Sequence, residues 1–375
     1  MRWLLVILTL TLAACSDRTA APIVPEALAI GSKRTVFVGT TRMEDDNNTF
    51  GILRSNELRL LELDVSIPPQ RMVGTISDGQ EKPDPKIDFV IANRKDIGSD
   101  ADFQNRIRRS LANKPTDQQE VVVFIHGYNN SFADATFRTA QLAEDLNLPG
   151  VSIAYSWPSR GHVLGYEYDN DSALFARDGL QKLLENIRSS GARRIVVVAH
   201  SLGSNLTMEA LRQIELSSPG WSSRNLSGVI LFSPDINVDV FRSQTSAFKE
   251  LPQPFLIFSS QSDKILRISA RLRWEKERLG TLLDISSFDD LPIDFVDVTA
   301  FEDGGVGNHF VGGSSPTLLS ILKSGNRLDD GFLQGKSNVT VGLPGRRRVL
   351  RNATQIILAP GGCLLYTSPS PRDRG

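Results

Sequence analysis

Residues 195–203 read IVVVAHSLG, and the segment that follows, 202–214, sets Leu206, Ala210 and Leu211 on one helical stripe. The unbroken apolar run Ile195 to Ala199 suits a strand covered on both faces, which needs no polar alternation. Strand, tight turn, helix is the local arrangement that lifts a serine hydroxyl clear of a sheet. It demands small residues two positions before and two after the serine, so that neighbouring backbones do not clash. Gly203 meets the second demand, and Ala199 stands where the first glycine usually sits, making the motif a variant of G-x-S-x-G around Ser201.

The same pattern recurs on either side. Short apolar runs at 121–125 (VVVFI), 151–155 (VSIAY), 229–232 (VILF) and 255–258 (FLIF) predict further buried strands. Between them, 171–187 carries Leu174, Phe175, Leu180, Leu183, Leu184 and Ile187 on one helical stripe. Strand and helix in alternation predict an α/β fold with a mainly parallel, open sheet and helices on both faces. Runs at 35–40, 58–65 and 87–92 would add an antiparallel edge, and 293–300 a last strand. In such sheets chemistry sits in the loops beyond the carboxyl ends of the strands.

A serine hydroxyl needs a base to take its proton, and histidine titrates in the useful range. In the chain order that accompanies this kind of turn, the base follows the serine. Of the four histidines, His126, His162 and His200 lie at or before the turn, and His200 is directed away by it. His309, in the loop GGVGNH at 304–309, remains. An imidazole base is oriented by a carboxylate. Asp263, in FSSQSD after the next-to-last predicted strand, has the usual place; Asp235, in FSPDI, is the alternative acid, otherwise a cap for a helix around 237–248. Asp294 and Asp297 fall inside a predicted strand. Donors for a developing oxyanion are expected from the N–H of Leu202 and the N–H of Tyr128, with Asn129 as the nearer alternative to Tyr128. His126 reads as a loop-shaping hydrogen-bond partner, and Trp157, in the cleft-rim segment 156–161, as structural.

The segments FIHGYNNSF (124–132), YSWPSRG (155–161), VVAHSLGS (197–204), FSPDINVDVF (232–241) and SDKIL (262–266), with His309 beyond, resemble a bacterial α/β-hydrolase family of unknown function often labelled esterase/lipase superfamily enzymes. The resemblance implies the α/β-hydrolase fold and hydrolysis of carboxylic esters, on a small-molecule or lipid substrate. Peptide, thioester or acyl-transfer chemistry would use the same site. The contrasting expectation is a catalytically silent envelope lipoprotein that uses the fold for binding. No metal or organic cofactor is expected, since the remaining histidines lack ligand spacing and no dinucleotide fingerprint occurs.

A chain of 375 residues with 40% hydrophobic residues can bury a full core, and a net charge of −1 offers no basic field for nucleic acid. Two cysteines cannot build a disulfide scaffold or a four-thiolate zinc site. The first, Cys15, ends LAAC after the apolar run 3–14, which is too short to span a bilayer and resembles a bacterial lipobox. The expectation is a signal peptide at 1–14, a lipidated Cys15 with a linker to 32, and a protein held on the periplasmic side of the cell envelope by acyl chains. One domain is expected over 33–325. An irregular tail is expected over 326–362, where Arg346, Arg347, Arg348 and Arg351 read as a solvated cluster. Residues 363–375 open with CLLYTSPSPRD, which resembles the translation of a transposon-type sequencing adapter.

Overall fold

The computed structural model describes residues 21–79, 81–275, 277–282, 284–301, 309–325, 346–350 and 352–358. The apolar run 3–14, Cys15 and residues 359–375 therefore lie outside the described residues, as do 302–308 of the loop before His309. Its strands are β1 (Ser32–Glu44), β2 (Phe50–Ile67), β3 (Val90–Ile97), β4 (Glu120–Ile125), β5 (Val151–Ser156), β6 (Arg194–His200), β7 (Gly228–Phe232), β8 (Phe255–Ser259), β9 (Asp294–Asp297), β10 (Arg346–Leu350) and β11 (Ala353–Ile357). The helices are α1 (Asp100–Ala112), α2 (Phe132–Asp145), α3 (Tyr166–Ser189), α4 (Leu202–Ser217), α5 (Trp221–Asn225), α6 (Val238–Thr245), α7 (Lys264–Leu272), α8 (Val311–Ser314) and α9 (Pro316–Gly325). Among the described residues, no helix is long and apolar enough to cross a membrane.

All the strands join one sheet in the order β10-β11-β9-β8-β7-β6-β4-β5-β1-β2-β3. Pairing is parallel from β11 through to β1, and antiparallel between β1 and β2, β2 and β3, and β10 and β11. The period of two along a strand sends alternate residues to opposite faces, and the core divides accordingly. Val121, Val123, Ile125 and Val197 pack with Leu180 of α3 and Leu206 of α4 on one face. Phe124, Val196 and Val198 pack with Leu318 and Leu319 of α9 on the other, and Phe137 and Ala140 of α2 cover the β1–β2 end of that side. Helices thus cover both faces, as the strand pattern predicts.

From β4 the chain moves to β5 on one side and then crosses to β6 on the other, so the strand order reverses at β4. A crevice opens at such a reversal, beyond the carboxyl ends of β4 and β6. The turn at 199–203 leaves one of these ends, and the HGYN segment the other.

The C-terminal part departs from the expected irregular tail. Residues 346–350 and 353–357 form a hairpin whose second strand continues the parallel sheet beside β9. Ala353, Ile356 and Leu358 are buried in the core. Polar, arginine-rich composition argues for solvation only while no apolar edge is available. Here β9 presents one, and Thr354 to Ile357 pair along it.

Candidate active site

Ser201 adopts φ 52°, ψ −124°, a region a non-glycine residue occupies only under constraint. The constraint is visible: its N–H donates to the carbonyl of Phe232 at 3.0 Å and its carbonyl accepts from Asp235 N at 3.2 Å. A Cβ on Gly203 would lie 2.2 Å from the carbonyl oxygen of His126, so the position accepts no side chain. Ala199 is fully buried with its single methyl accommodated. The turn points the Ser201 hydroxyl at His309, where Nε2 stands 2.8 Å from Oγ.

His309 Nδ1 lies 2.8 Å from Oδ2 of Asp263, whose side chain is wholly buried. The other oxygen of Asp263 accepts from the N–H of Leu266 at 2.9 Å and so caps α7. The structure therefore brings Ser201, His309 and Asp263 together from three loops on one edge of the sheet. It does not bring Asp235 to the imidazole. The Asp235 carboxylate instead meets Arg278 Nε at 2.6 Å, Tyr166 OH at 2.6 Å and Ser269 Oγ at 2.9 Å.

The 126–130 loop packs directly against the serine. A Cβ on Gly127 would fall 2.8 Å from Cβ of Ser201 and 2.8 Å from Nδ1 of His200. The Gly127 carbonyl is held by His126 Nδ1 at 2.8 Å and Asn130 Nδ2 at 3.2 Å. In a trans peptide the Tyr128 N–H points the opposite way. Among the described residues that N–H has no acceptor, nor has the N–H of Leu202 in the first turn of α4. The N–H of Asn129, in contrast, donates to Asp169 at 3.1 Å.

Three partners escaped sequence reading. His200 is not turned away from the site: its ring packs against His309 and Phe310, with centroids 4.7 and 4.3 Å apart, and its Nε2 reaches the His309 carbonyl at 3.2 Å. Burial, with the neighbouring His309, drives its pKa well below the ordinary histidine value, so it supports His309 as a neutral ring. Phe310 wedges between His200 and Phe232. The third is Arg42 of β1, fully buried, whose guanidinium donates to the carbonyls of Gly51, Ser159 and Asn130 and to Ser156 Oγ. Burial lowers its pKa to about 10, with Asp169 and Asp134 opposing. No motif marks an arginine in a strand between β5 and β2 as a loop organiser.

His126 and Trp157 take the structural parts expected of them. Their rings stack at 4.8 Å, Trp157 Nε1 donates to the His126 carbonyl at 2.7 Å, and both are buried, Trp157 completely, beneath rather than at the rim. Burial and the Arg42 charge push the pKa of His126 down to about 3.

The family model described as alpha/beta hydrolase of unknown function (DUF900) matches residues 99–327. A curated relative, the uncharacterized protein alr1448 of Nostoc sp., is 36% identical over 63 residues, which is 16% of this chain and 16% of that protein. The chain thus spans about a sixth of the curated relative it matches. Among solved structures, Aspergillus fumigatus lipase B aligns at 11% identity over 55% of this chain and 57% of its own, with a TM-score of 0.35. A thermophilic esterase of Thermogutta terrifontis, Est2, aligns at 13% identity over 86% and 100%, with a TM-score of 0.33. The Pyrococcus furiosus esterase Pf2001 aligns at 12% identity over 75% and 76%, with a TM-score of 0.26.

Proposed function

We propose, from the premise that this chain belongs to the alpha/beta hydrolase family of unknown function DUF900, that it is a serine hydrolase of carboxylic esters. The observation that carries this reading is the continuous relay from Asp263 through His309 to Ser201, each contact 2.8 Å long. In the reaction, Ser201 Oγ attacks the ester carbonyl while His309 Nε2 takes its proton. Asp263, bonded to the opposite nitrogen, stabilises the imidazolium. The negative oxygen of the tetrahedral intermediate is held by the N–H groups of Leu202 and Tyr128, each donor worth about 3–4 kcal/mol of transition-state stabilisation. His309 returns the proton to the departing alcohol, leaving an acyl group on Ser201. A water deprotonated by His309 then attacks that acyl carbonyl, and His309 passes the proton to Ser201 Oγ as the acid departs. We further propose that the protein works at a membrane, tethered through acylated Cys15 on the periplasmic side of the envelope.

A fluorophosphonate probe tests the reading, because it labels only a serine activated in this way. The chain should be labelled and Ser201→Ala should not. An unlabelled parent would instead favour a silent binding protein built on the fold.

A further inference from the structure

The outer side of α7 is divided into two rows. Lys264, Arg267 and Arg271 form one, all exposed, and Ile268 and Leu272 form the other, with half-buried Ile265 beside them. The buried side carries Leu266, Ser269 and Ala270. From Lys264 to Trp274 there is no acidic residue, and none of the four basic side chains, Arg273 included, makes an ion pair among the described residues.

Trp274 follows the helix at φ 58° and is 96% exposed. The N–H of Glu275 closes onto the Ala270 carbonyl at 2.9 Å, a helix ending whose left-handed position ordinarily takes glycine. Neither the fold nor solubility calls for an indole there. Tyr166 links this face to the site mouth, with the Arg273 guanidinium 5.3 Å over its ring. Tyr166 OH meets Ser269 of α7 at 2.7 Å, its ring abuts Tyr128 at 5.4 Å, and Tyr128 OH donates to the carbonyl of Val163. Val163 and its neighbour Leu164, 86% exposed, stand out from this loop.

We infer that this flank of α7, with Val163 and Leu164, docks on an anionic lipid bilayer and turns the mouth of the site toward the headgroups. A basic row beside an apolar row, ending in tryptophan, matches in charge and in depth a surface whose outer layer is anionic and whose inner layer is apolar. Asp263 belongs both to this helix, as its cap, and to the relay, so the docked face and the reacting groups share one rigid piece. The ester that reaches Ser201 is then one carried by a bilayer lipid. That second statement rests on the serine hydrolase reading; the docking does not.

Flotation with vesicles tests it, on residues 15–375 carrying Cys15→Ala throughout, so that neither an acyl group nor the apolar run 3–14 contributes. The protein should float with phosphatidylglycerol vesicles, at least tenfold less with phosphatidylcholine vesicles, and less as salt is raised. Arg267→Glu/Arg271→Glu and Leu272→Ser/Trp274→Ser should each lower phosphatidylglycerol flotation at least tenfold with unchanged circular dichroism. If either double variant fails to fold, Trp274→Ser alone should lower it at least threefold. Equal flotation of parent and variants overturns the docking, as does a dimer in sedimentation that Leu272→Ser/Trp274→Ser dissociates, because a second copy would then cover the face. Cleavage of a p-nitrophenyl palmitate dissolved in the vesicles should fall in step with flotation, and Ser201→Ala should float but not cleave. A parent that floats and cleaves nothing leaves the docking standing and removes the ester reading. Undiminished cleavage by non-floating variants overturns the bilayer-resident substrate.

Discussion

Arg278 and Asp235 form a buried ion pair, Nε to Oδ1 at 2.6 Å, with a second guanidinium N–H on the Asp235 carbonyl at 2.9 Å. The Asp235 N–H in turn holds the Ser201 carbonyl. This carboxylate therefore braces the turn beneath the serine and leaves the imidazole to Asp263. Asp235→Asn should cost roughly 3 kcal/mol of stability, since it strands much of a buried guanidinium's charge. Turnover per folded molecule should fall less than tenfold. Urea midpoints and kcat after active-site titration measure both. An unaltered midpoint with abolished turnover would transfer the acid role to Asp235.

Ser201→Ala and His309→Ala should each lower turnover of a p-nitrophenyl ester by at least ~10³-fold, because relay members act as a unit. Asp263→Asn should cost less than the serine change, and asparagine can still cap α7. Wild-type rates in Ser201→Ala would refute the mechanism.

Deleting 326–375 removes β10 and β11 and uncovers β9. With Ile356 and Leu358 each contributing about 1.5–3 kcal/mol on burial, the truncated chain should melt roughly 10 °C lower. Calorimetry decides this, and an unmoved Tm would mean that the hairpin contributes no core.

Stability should also depend on His126. Its folded pKa, about 3, lies below the unfolded value near 6.5, so between these limits the unfolded chain binds more protons. Stability is then lost as pH falls, at up to about 1.4 kcal/mol per pH unit from this group, and His200 acts with the same sign. His126→Phe keeps a ring beside Trp157 and removes the titration. Denaturation midpoints from pH 7 to 4 should fall less steeply in that variant than in the parent.

The tether is tested separately. Expressed in a bacterium with its native N-terminus, the chain should take up labelled palmitate and sediment with membranes, and Cys15→Ala should remain unlabelled. A soluble, unlabelled parent would dispose of the anchor.

The fold's central strands were legible because continuous apolar runs such as VVVFI and IVVVA have few other uses in a soluble domain. The serine turn was legible because its small flanking residues answer a steric demand that Gly203 visibly meets. The choice between two acids was not, since it depends on where Arg278, 43 residues beyond Asp235, delivers its guanidinium. His200 was misread because the direction of a side chain in a strained turn is set by what packs on it, here His309 and Phe310. The C-terminal hairpin went unread because its pairing edge, β9, lies about 60 residues earlier in the chain.

Arg42 reaches from β1 to the carbonyls of Asn130 and Ser159, so a stretch outside the family match shapes the loop that carries Tyr128. The matched segment, 99–327, is consequently not a severable unit. A fragment cut at its boundaries would bare the long flank of β5 where β1 now lies and leave two loop carbonyls without their donor. Exchanging that segment between relatives would carry the reacting groups across while leaving behind part of the scaffold that sets their spacing. Chimeras that keep the guanidinium with its loop must begin before β1.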